Sequence, residues 1–237
     1  MEAIKSRVTD YWTQRVDQFS ALRIKELNSK KADLWLSELE KYLPDQTGLN
    51  ILDIGTGTGF FAFLLASRGH TVTGIDLTAD MILEAKHMAE TLSISADFFV
   101  MDGENPQFPP RSFDAIVTRN LTWTLPLLAD AYQNWHRMLK PGGVLINFDG
   151  DYCREEQTEL PANHAHKQIN AGLLQEYESI KDTLRPMQSP RPQWDIALLK
   201  DAGFSEITVD TGVWKRIYGE VDEFYNPTPI FAISAKA

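Results

Sequence analysis

The sequence contains one cysteine and no long apolar run, and each scarcity excludes a class of protein. With Cys153 as its single cysteine, the chain has no internal disulfide framework and no zinc site built from several cysteines. Its longest apolar run, Phe60 to Ala66, is far too short to cross a bilayer. The N-terminal segment MEAIKSRVTDYW carries charges without an apolar core, unlike a secretory signal. We therefore expect a cytoplasmic protein without membrane insertion.

Positive charge is also scarce. The chain has 23 Lys and Arg residues against 33 Asp and Glu residues, which gives a formal net charge of -10 at pH 7. Because phosphate contacts dominate nucleic-acid affinity, we expect no nucleic-acid partner. Hydrophobic residues make up 43% of the 237 residues, which is enough for the buried core of one domain. No pattern indicates the oligomeric state.

Short apolar segments alternate with helical segments from residue 49 to residue 150. The segments NILDIG, TVTGID, DFFVMD, SFDAIVTRN and VLINFD each have the character of a strand. The helical segments between them include LLADAYQNWHRMLK, which we expect to stop at the turn Pro141–Gly143. This alternation predicts an α/β fold, in which helices cover both faces of a parallel sheet.

The flanking segments are predicted to complete a single domain, residues 1–237. Residues 1–43 predict an N-terminal helical cap, and residues 49–150 form the core described above. Residues 151–193 interrupt the pattern with a polar stretch, a helix around 167–184 and a proline-rich segment, and predict a lid over the sheet. Residues 194–237 then supply a helix and the last two strands.

Three glycines follow the first predicted strand. A strand that leads into a helix through glycines brings backbone amides close to a ligand at the carboxyl edge of the sheet. Gly55, Gly57 and Gly59 have the spacing G-x-G-x-G, and Phe60 occupies the position of the third glycine in the dinucleotide fingerprint. An NAD-dependent oxidoreductase therefore stays an alternative that the spacing disfavours.

Several motifs in the same order resemble the class I S-adenosylmethionine-dependent methyltransferases. LDIGTGTG resembles the first motif of that family, VMDGENPQFPPRSFDAIVTRN its middle stretch and HRMLKPGGVLI its fifth-strand region. The likeness covers about residues 50–148 and, more loosely, the last forty residues. The motifs between Asp102 and Ile146 are most similar to those of the branch that includes quinone-biosynthesis methyltransferases. The resemblance implies a Rossmann-like, doubly wound sheet of seven mostly parallel strands, with the last strand antiparallel.

The resemblance also implies a cofactor, S-adenosylmethionine, whose product is S-adenosylhomocysteine. Asp76 would accept hydrogen bonds from both ribose hydroxyls, and Asp102 one from the adenine amino group. The other implied cofactor residues are Asp53, Gly55, Thr56, Gly57, Gly59, Leu77, Met81, Gly103, Glu104, Arg119, Asn120 and Leu121. Taken singly, Asp76 is equally consistent with a helix N-cap and Asp102 with a turn residue.

Aromatic residues flank these motifs at two places. Tyr11 and Trp12 lie in DYWTQRVDQF, a segment similar to one that folds over the cofactor in many family members. An aromatic face near a sulfonium would be a favourable cation–π contact. Trp123 follows the fourth strand, where family members often line the substrate pocket. Plain packing in the core explains these three side chains equally well.

The reaction expected from the resemblance is transfer of a methyl group to a small molecule by in-line displacement. Leu121 and Thr122 follow Asn120, so the chain lacks the Asn/Asp-Pro-Pro-Tyr/Phe tetrapeptide of amino-methylating DNA and glutamine methyltransferases. It also lacks the Pro-Cys dipeptide of cytosine-5 enzymes. These absences and the acidic charge favour a small-molecule acceptor.

The sequence does not identify a catalytic residue, because a base is needed only when the nucleophile arrives protonated. Asp149, after the fifth strand, and His164 and His166, in the insertion, are candidates for such a base. Solvated loop histidines are the competing interpretation. We expect no metal site, because two histidines two residues apart do not define one. A non-catalytic S-adenosylmethionine-binding protein and an aminopropyl transferase stay open as alternatives.

Overall fold

The computed structural model describes residues 1–154 and 169–237, and within them seven strands form one sheet. The strands are β1 (Asn50–Ile54), β2 (Thr71–Asp76), β3 (Asp97–Val100), β4 (Phe113–Arg119), β5 (Leu139–Gly150), β6 (Ser205–Asp210) and β7 (Ile230–Lys236). Their order across the sheet is β3-β2-β1-β4-β5-β7-β6. Strands β1 to β5 are parallel, and β7 runs antiparallel to both β5 and β6. The predicted sheet is therefore confirmed.

Helices cover both faces of this sheet. They are α1 (Glu2–Thr13), α2 (Val16–Leu27), α3 (Lys30–Glu40), α4 (Phe60–Ala66), α5 (Ala79–Leu92), α6 (Leu128–Met138), α7 (Ala171–Leu184), α8 (Gln193–Asp201) and α9 (Val213–Tyr218). Neighbouring residues of a strand point to opposite faces. Ile51 accordingly packs in a core cluster with α3, α4 and α5, whereas Leu52 packs in a second cluster with α6 and α8.

The strand order places a ligand-binding crevice in a defined position. Strand β1 pairs with β2 on one side and with β4 on the other, so the connections leave β1 in opposite directions. In open α/β sheets ligands bind outside the carboxyl ends of the strands at this point of reversal. The glycine loop after β1 and residues Asn120 and Leu121 after β4 both lie at this edge.

The segment Pro141–Gly143 does not stop the preceding helix as predicted. Helix α6 ends at Met138, and Pro141–Gly143 lies within β5, which begins at Leu139. The prediction was wrong because Leu139 already pairs with Phe113 of β4, and Ala237, the residue after β7, bonds to the segment that follows. The Gly142 N–H donates to the Ala237 carbonyl oxygen at 2.8 Å, and the Ala237 N–H donates to that of Gly143 at 3.0 Å.

Two helices differ from the sequence-based prediction, one in its existence and one in where it begins. Helix α9 was not predicted, because its six residues are too few to show a helical period. Helix α7 begins at Ala171, where the Asn170 side chain accepts a hydrogen bond from the Leu173 N–H at 2.9 Å. Asparagine is among the preferred N-cap residues because it satisfies a free amide of the first turn. The part of the predicted helix before residue 169 lies outside the described residues.

Candidate functional site

A cavity of about 520 Å³ lies at the carboxyl edge of β1, β2 and β4. Its lining comes from the glycine loop and the strand ends, from α1 and α2, from α7, and from residues 223–228 before β7. This volume falls within the range of about 300–1,000 Å³ that is usual for small-molecule sites. The cavity therefore joins the predicted cofactor motifs to the N-terminal helices and the C-terminal part of the chain.

The glycine loop and Asp76 are joined by hydrogen bonds. Gly55 and Gly57 have φ angles of +71° and +55°, which side-chain-bearing residues rarely adopt. The Asp76 carboxylate accepts from the Gly57 N–H at 3.0 Å and from the Thr78 N–H at 2.8 Å. Each carboxylate oxygen has a second lone pair, so Asp76 holds the loop in place and can still accept from a ligand in the cavity.

A second acidic group, Asp53, lies beneath the loop. It accepts a hydrogen bond from the Thr56 hydroxyl at 2.7 Å, and both residues are buried. Burial raises the pKa of Asp53 to about 7, far above its ordinary value of 3.8, and the hydrogen bond from Thr56 lowers it less than burial raises it. Asp53 therefore changes its protonation state near neutral pH at the wall of the cavity.

The loop after β3 is bound to the first helix. Lys5 Nζ on α1 lies 2.6 Å from Asp102 Oδ2 and 2.5 Å from Glu104 Oε2. The buried Glu104 carboxylate also accepts from the Leu127 N–H at 2.6 Å. Asp102 thus lines the cavity, whereas Glu104 fixes the loop from behind and is not part of the lining.

Arg119, at the end of β4, is held by a buried cluster of side chains. Its guanidinium donates to the Glu26 carboxylate at 2.9 Å and to the Tyr218 hydroxyl at 3.1 Å. The guanidinium carbon lies 4.2 Å from the centroid of the Trp35 ring. Arg23 on α2 forms an ion pair with the same Glu26. One carboxylate therefore serves two arginines, and both arginines line the cavity.

Aromatic rings form one wall of the cavity. The Tyr11 ring centroid lies 5.3 Å from that of Trp12 and 5.6 Å from that of Tyr177 on α7. Trp123 continues the wall, with its ring 5.6 Å from Tyr177 and 5.4 Å from Tyr152. These distances are typical of aromatic pairs in contact. The wall brings α1, α7 and the ends of β4 and β5 to one apolar surface.

Comparison with known proteins assigns this arrangement to a family. Residues 51–143 match a family model described as a methyltransferase domain. The chain is 32% identical over 165 residues to phosphoethanolamine N-methyltransferase 1 of Arabidopsis thaliana, which covers 69% of this chain and 30% of that protein. It is 34% identical over 116 residues to demethylmenaquinone methyltransferase of Tropheryma whipplei, which covers 47% of this chain and 46% of that protein. The chain belongs to the class I S-adenosylmethionine-dependent methyltransferases. It spans less than half the length of these relatives.

Solved structures share the methyltransferase fold. Phosphoethanolamine N-methyltransferase 2 of Haemonchus contortus, solved with S-adenosyl-L-methionine, has a TM-score of 0.64 and 22% identity, over 85% of this chain and 51% of that one. The [4+2]-cyclase SpnF has a TM-score of 0.60 and 17% identity, over 86% of this chain and 80% of that one. Since a cyclase shares the methyltransferase fold, the fold alone does not define the reaction.

Most residues that the methyltransferase motifs predicted lie together at the cavity. The lining includes Tyr11, Trp12, Asp53, Gly55, Thr56, Gly57, Asp76, Leu77, Met81, Asp102, Gly103, Arg119, Asn120, Leu121 and Trp123. Glu104 and Gly59 are the exceptions. Gly59 precedes α4 with a φ of +92°, and a Cβ there would lie 2.6 Å from the Phe63 ring, so this glycine shapes the turn. The ligand contacts of all these residues stay predictions.

Asp149, a candidate base, is fully buried and is not part of the cavity lining. Its carboxylate accepts from the Thr122 hydroxyl and from the N–H groups of Trp123 and Gly150, at 3.1 and 2.8 Å for the two amides. Arg191 Nη1 lies 3.4 Å from it. Burial raises the pKa of Asp149, and Arg191 opposes this rise. These contacts give Asp149 a structural task, which is to fix the turn that carries Trp123.

The other two candidate bases, His164 and His166, lie outside the described residues. In residues 1–154 and 169–237, no group of His, Cys, Asp and Glu side chains could hold a metal ion. Over the same ranges, no helix has the length and apolar character needed to span a membrane.

In the N-terminal helical region, the sequence predicted Tyr11 and Trp12 but not the other residues that line the cavity. Arg15, Phe19 and Arg23 line the cavity together with Lys5. A signal was present, because Tyr11, Arg15, Phe19 and Arg23 recur every four residues and so share one face of a helical segment. This spacing by itself does not distinguish a cavity face from a face that packs on the domain.

Proposed function

We propose that this chain binds S-adenosylmethionine and transfers its methyl group to a small-molecule acceptor by in-line displacement. The observation that carries the proposal is the continuity of the cavity. One space is lined by the glycine loop and Asp76 and also by the aromatic wall of Tyr11, Trp12, Trp123, Tyr152 and Tyr177. It has room for a cofactor at the strand ends and for an acceptor against the wall.

The residues present fit the cofactor. Gly55 lines the cavity at a φ of +71°, and a Cβ there would lie 2.9 Å from the Leu121 side chain, so glycine favours this course of the loop beside the ligand space. Asp76 has lone pairs for the ribose hydroxyls, and Asp102 faces the cavity as an acceptor for the adenine amino group. When bound, S-adenosylmethionine supplies a methyl group activated by a sulfonium.

The chain contributes chiefly by positioning the acceptor and excluding water. Well-oriented reactants can gain about 7–11 kcal/mol over a bimolecular encounter in water. Burial raises the pKa of Tyr11 above its ordinary value of 10.0, although Arg15 opposes the rise, so this hydroxyl stays protonated at neutral pH. It can orient an acceptor by a hydrogen bond but is unsuited to removing a proton.

The acceptor itself is defined only as a small molecule. Relatives are named for phosphoethanolamine, demethylmenaquinone and, in Gibberella zeae, carbon 24 of a sterol, so related chains act on chemically different acceptors. The cytoplasmic location, the absence of a nucleic-acid partner and the lid role of residues 151–193 rest on the sequence and remain predictions.

Calorimetric titration with S-adenosylmethionine, S-adenosylhomocysteine and NAD, in parallel, tests the proposal. We expect the first two ligands to bind and NAD not to bind. Binding of NAD alone would overturn the cofactor assignment. A screen of acceptors with radiolabelled methyl donor then separates an enzyme from a non-catalytic binder, because only the enzyme releases S-adenosylhomocysteine with acceptor present.

A further inference from the structure

Arg15 is a buried arginine without a carboxylate partner among the residues that the structure describes. The residue is 2% exposed and lies between α1 and α2. Its Nη1 donates to the Tyr11 hydroxyl at 3.1 Å, and its buried Nε has no hydrogen-bond partner. Burying a charge is costly unless the charge is paired. Within the part of the chain that the structure describes, the charge of Arg15 is therefore poorly compensated.

The rest of the chain shows how a buried arginine is usually accommodated. Arg191 has a side chain with no exposed surface, and it lies within 3.4 Å of the Asp149 carboxylate and within 2.6 Å of that of Asp195. Arg119 and Arg23 are both paired with Glu26. Arg15 departs from this pattern, and its side chain lines the cavity.

In the described ranges, none of the acidic groups that line the cavity pairs with Arg15. Asp102, Glu178 and Glu223 form ion pairs with lysines instead. Asp53 accepts a hydrogen bond from Thr56, and Asp76 accepts from the amides of Gly57 and Thr78. Neither carboxylate forms an ion pair in the part of the chain that the structure describes. Arg23 and Arg119 share the single negative charge of Glu26. The side of the cavity that these arginines line therefore has more buried positive than negative charge among the described residues.

We propose that Arg15, together with the Tyr11 hydroxyl, binds an anionic group, a carboxylate or a phosphate, of a molecule in the cavity. A guanidinium matches both groups, because its planar fork can donate two parallel hydrogen bonds. The inference rests on the proposed function for the identity of the ligand. The group belongs either to the methionine end of the cofactor or to the acceptor.

The test compares wild type with Arg15→Met by calorimetry, using three probes. S-adenosylhomocysteine has the carboxylate, 5′-methylthioadenosine lacks it, and inorganic phosphate stands for an acceptor anion. Arg68→Met is the matched control, since Arg68 is exposed and pairs with Glu40 away from the cavity. From the strength of charged hydrogen bonds, we expect a loss of about tenfold or more for the probe that Arg15 binds.

Each outcome decides between the sources or against the site. If Arg15→Met weakens S-adenosylhomocysteine and leaves 5′-methylthioadenosine unchanged, the group is the cofactor carboxylate. If only phosphate binding to the S-adenosylhomocysteine-saturated protein is lost, the group belongs to the acceptor. Equal weakening of both nucleosides, or no change with any probe, overturns the proposal.

Two further measurements distinguish failure of the anion site from failure of the proposed cofactor. Wild-type protein that fails to bind S-adenosylhomocysteine would refute the proposed cofactor, whereas phosphate binding that disappears in Arg15→Met would still support the anion site. The melting temperature of unliganded Arg15→Met should equal or exceed that of wild type, because the variant removes a buried charge that no carboxylate of residues 1–154 and 169–237 pairs with. A lowered melting temperature without a loss of binding would make Arg15 a structural residue.

Discussion

Substituting Asp149 by asparagine separates a structural role from a catalytic one. The Asp149 carboxylate accepts hydrogen bonds from one hydroxyl, on Thr122, and from two backbone amides, on Trp123 and Gly150. Asparagine has the same shape but only one accepting oxygen, and its amide nitrogen must face at least one of these donors. Thr122 and Trp123 donate to one carboxylate oxygen and Gly150 to the other, so the asparagine oxygen is expected to stay with Thr122 and Trp123. We therefore expect Asp149→Asn to fold with the Gly150 N–H unsatisfied and facing the new amide nitrogen.

The size of the effect follows from these contacts. A buried donor without an acceptor costs about 1–3 kcal/mol, and the variant also loses its attraction to Arg191. Arg191 keeps its bonds to Asp195, so the larger penalty of an unpaired buried charge does not apply. We expect the free energy of unfolding to fall by about 3 kcal/mol. In a domain of this size that loss lowers the melting temperature by about 6–12 °C.

Thermal unfolding, measured beside S-adenosylhomocysteine binding and methyl transfer, checks this prediction. Asp130→Asn, at an exposed position in the first turn of α6, is the control and should change stability by less than about 0.5 kcal/mol. Activity per folded molecule should change little in Asp149→Asn. An unchanged melting temperature with methyl transfer abolished would refute the structural role and restore Asp149 as a candidate base.

Three further substitutions test the cofactor side of the cavity. Asp76→Asn should weaken S-adenosylhomocysteine binding by about tenfold or more in calorimetry, because one of its accepting oxygens is lost; equal affinity would remove the ribose assignment. Gly57→Val should also weaken binding, since its Cβ would lie 3.1 Å from Phe19 at a φ of +55°; Gly48→Val, at a φ of +70° with open space around the Cβ, is the matched control. Burial raises the pKa of Asp53 to about 7, so the free energy of unfolding should fall by about 3 kcal/mol between pH 5 and pH 8 through this group. Urea unfolding of Asp53→Asn should lack that share of the pH dependence, and identical pH profiles would contradict the raised pKa.

The sheet could be predicted from the sequence because its signals are local. Apolar strand segments and the helices between them report their own structure, and a parallel sheet is the usual way to bury such an alternation. The reversal at β1 then places the glycine loop and Asn120 at one edge. The start of β5 was not predictable in this way, because Leu139 pairs with Phe113 of β4, and Gly142 and Gly143 bond to Ala237, almost a hundred residues later.

The wall of the cavity was less predictable, because it depends on contacts between distant segments. Arg15 became a candidate only when the structure showed it buried, facing the cavity and without a carboxylate partner in the described ranges. Asp149 looked like a base at a strand end, but the donors that surround it come from two places in the chain, residues 122–123 and Gly150. Residue type and local pattern do not reveal whether a charged side chain meets a partner or a ligand.

Several predicted ligand residues also hold the protein together. Asp76 fixes the glycine loop, Asp102 bonds to Lys5 of α1, and Arg119 joins β4 to Glu26 of α2. A variant at any of these positions can weaken binding by loosening the cavity instead of removing a ligand contact. Loss of affinity therefore supports a contact only when the melting temperature of the free variant is unchanged. Arg15 offers the clearer experiment, since its substitution removes a charge that has no carboxylate partner in the described part of the chain.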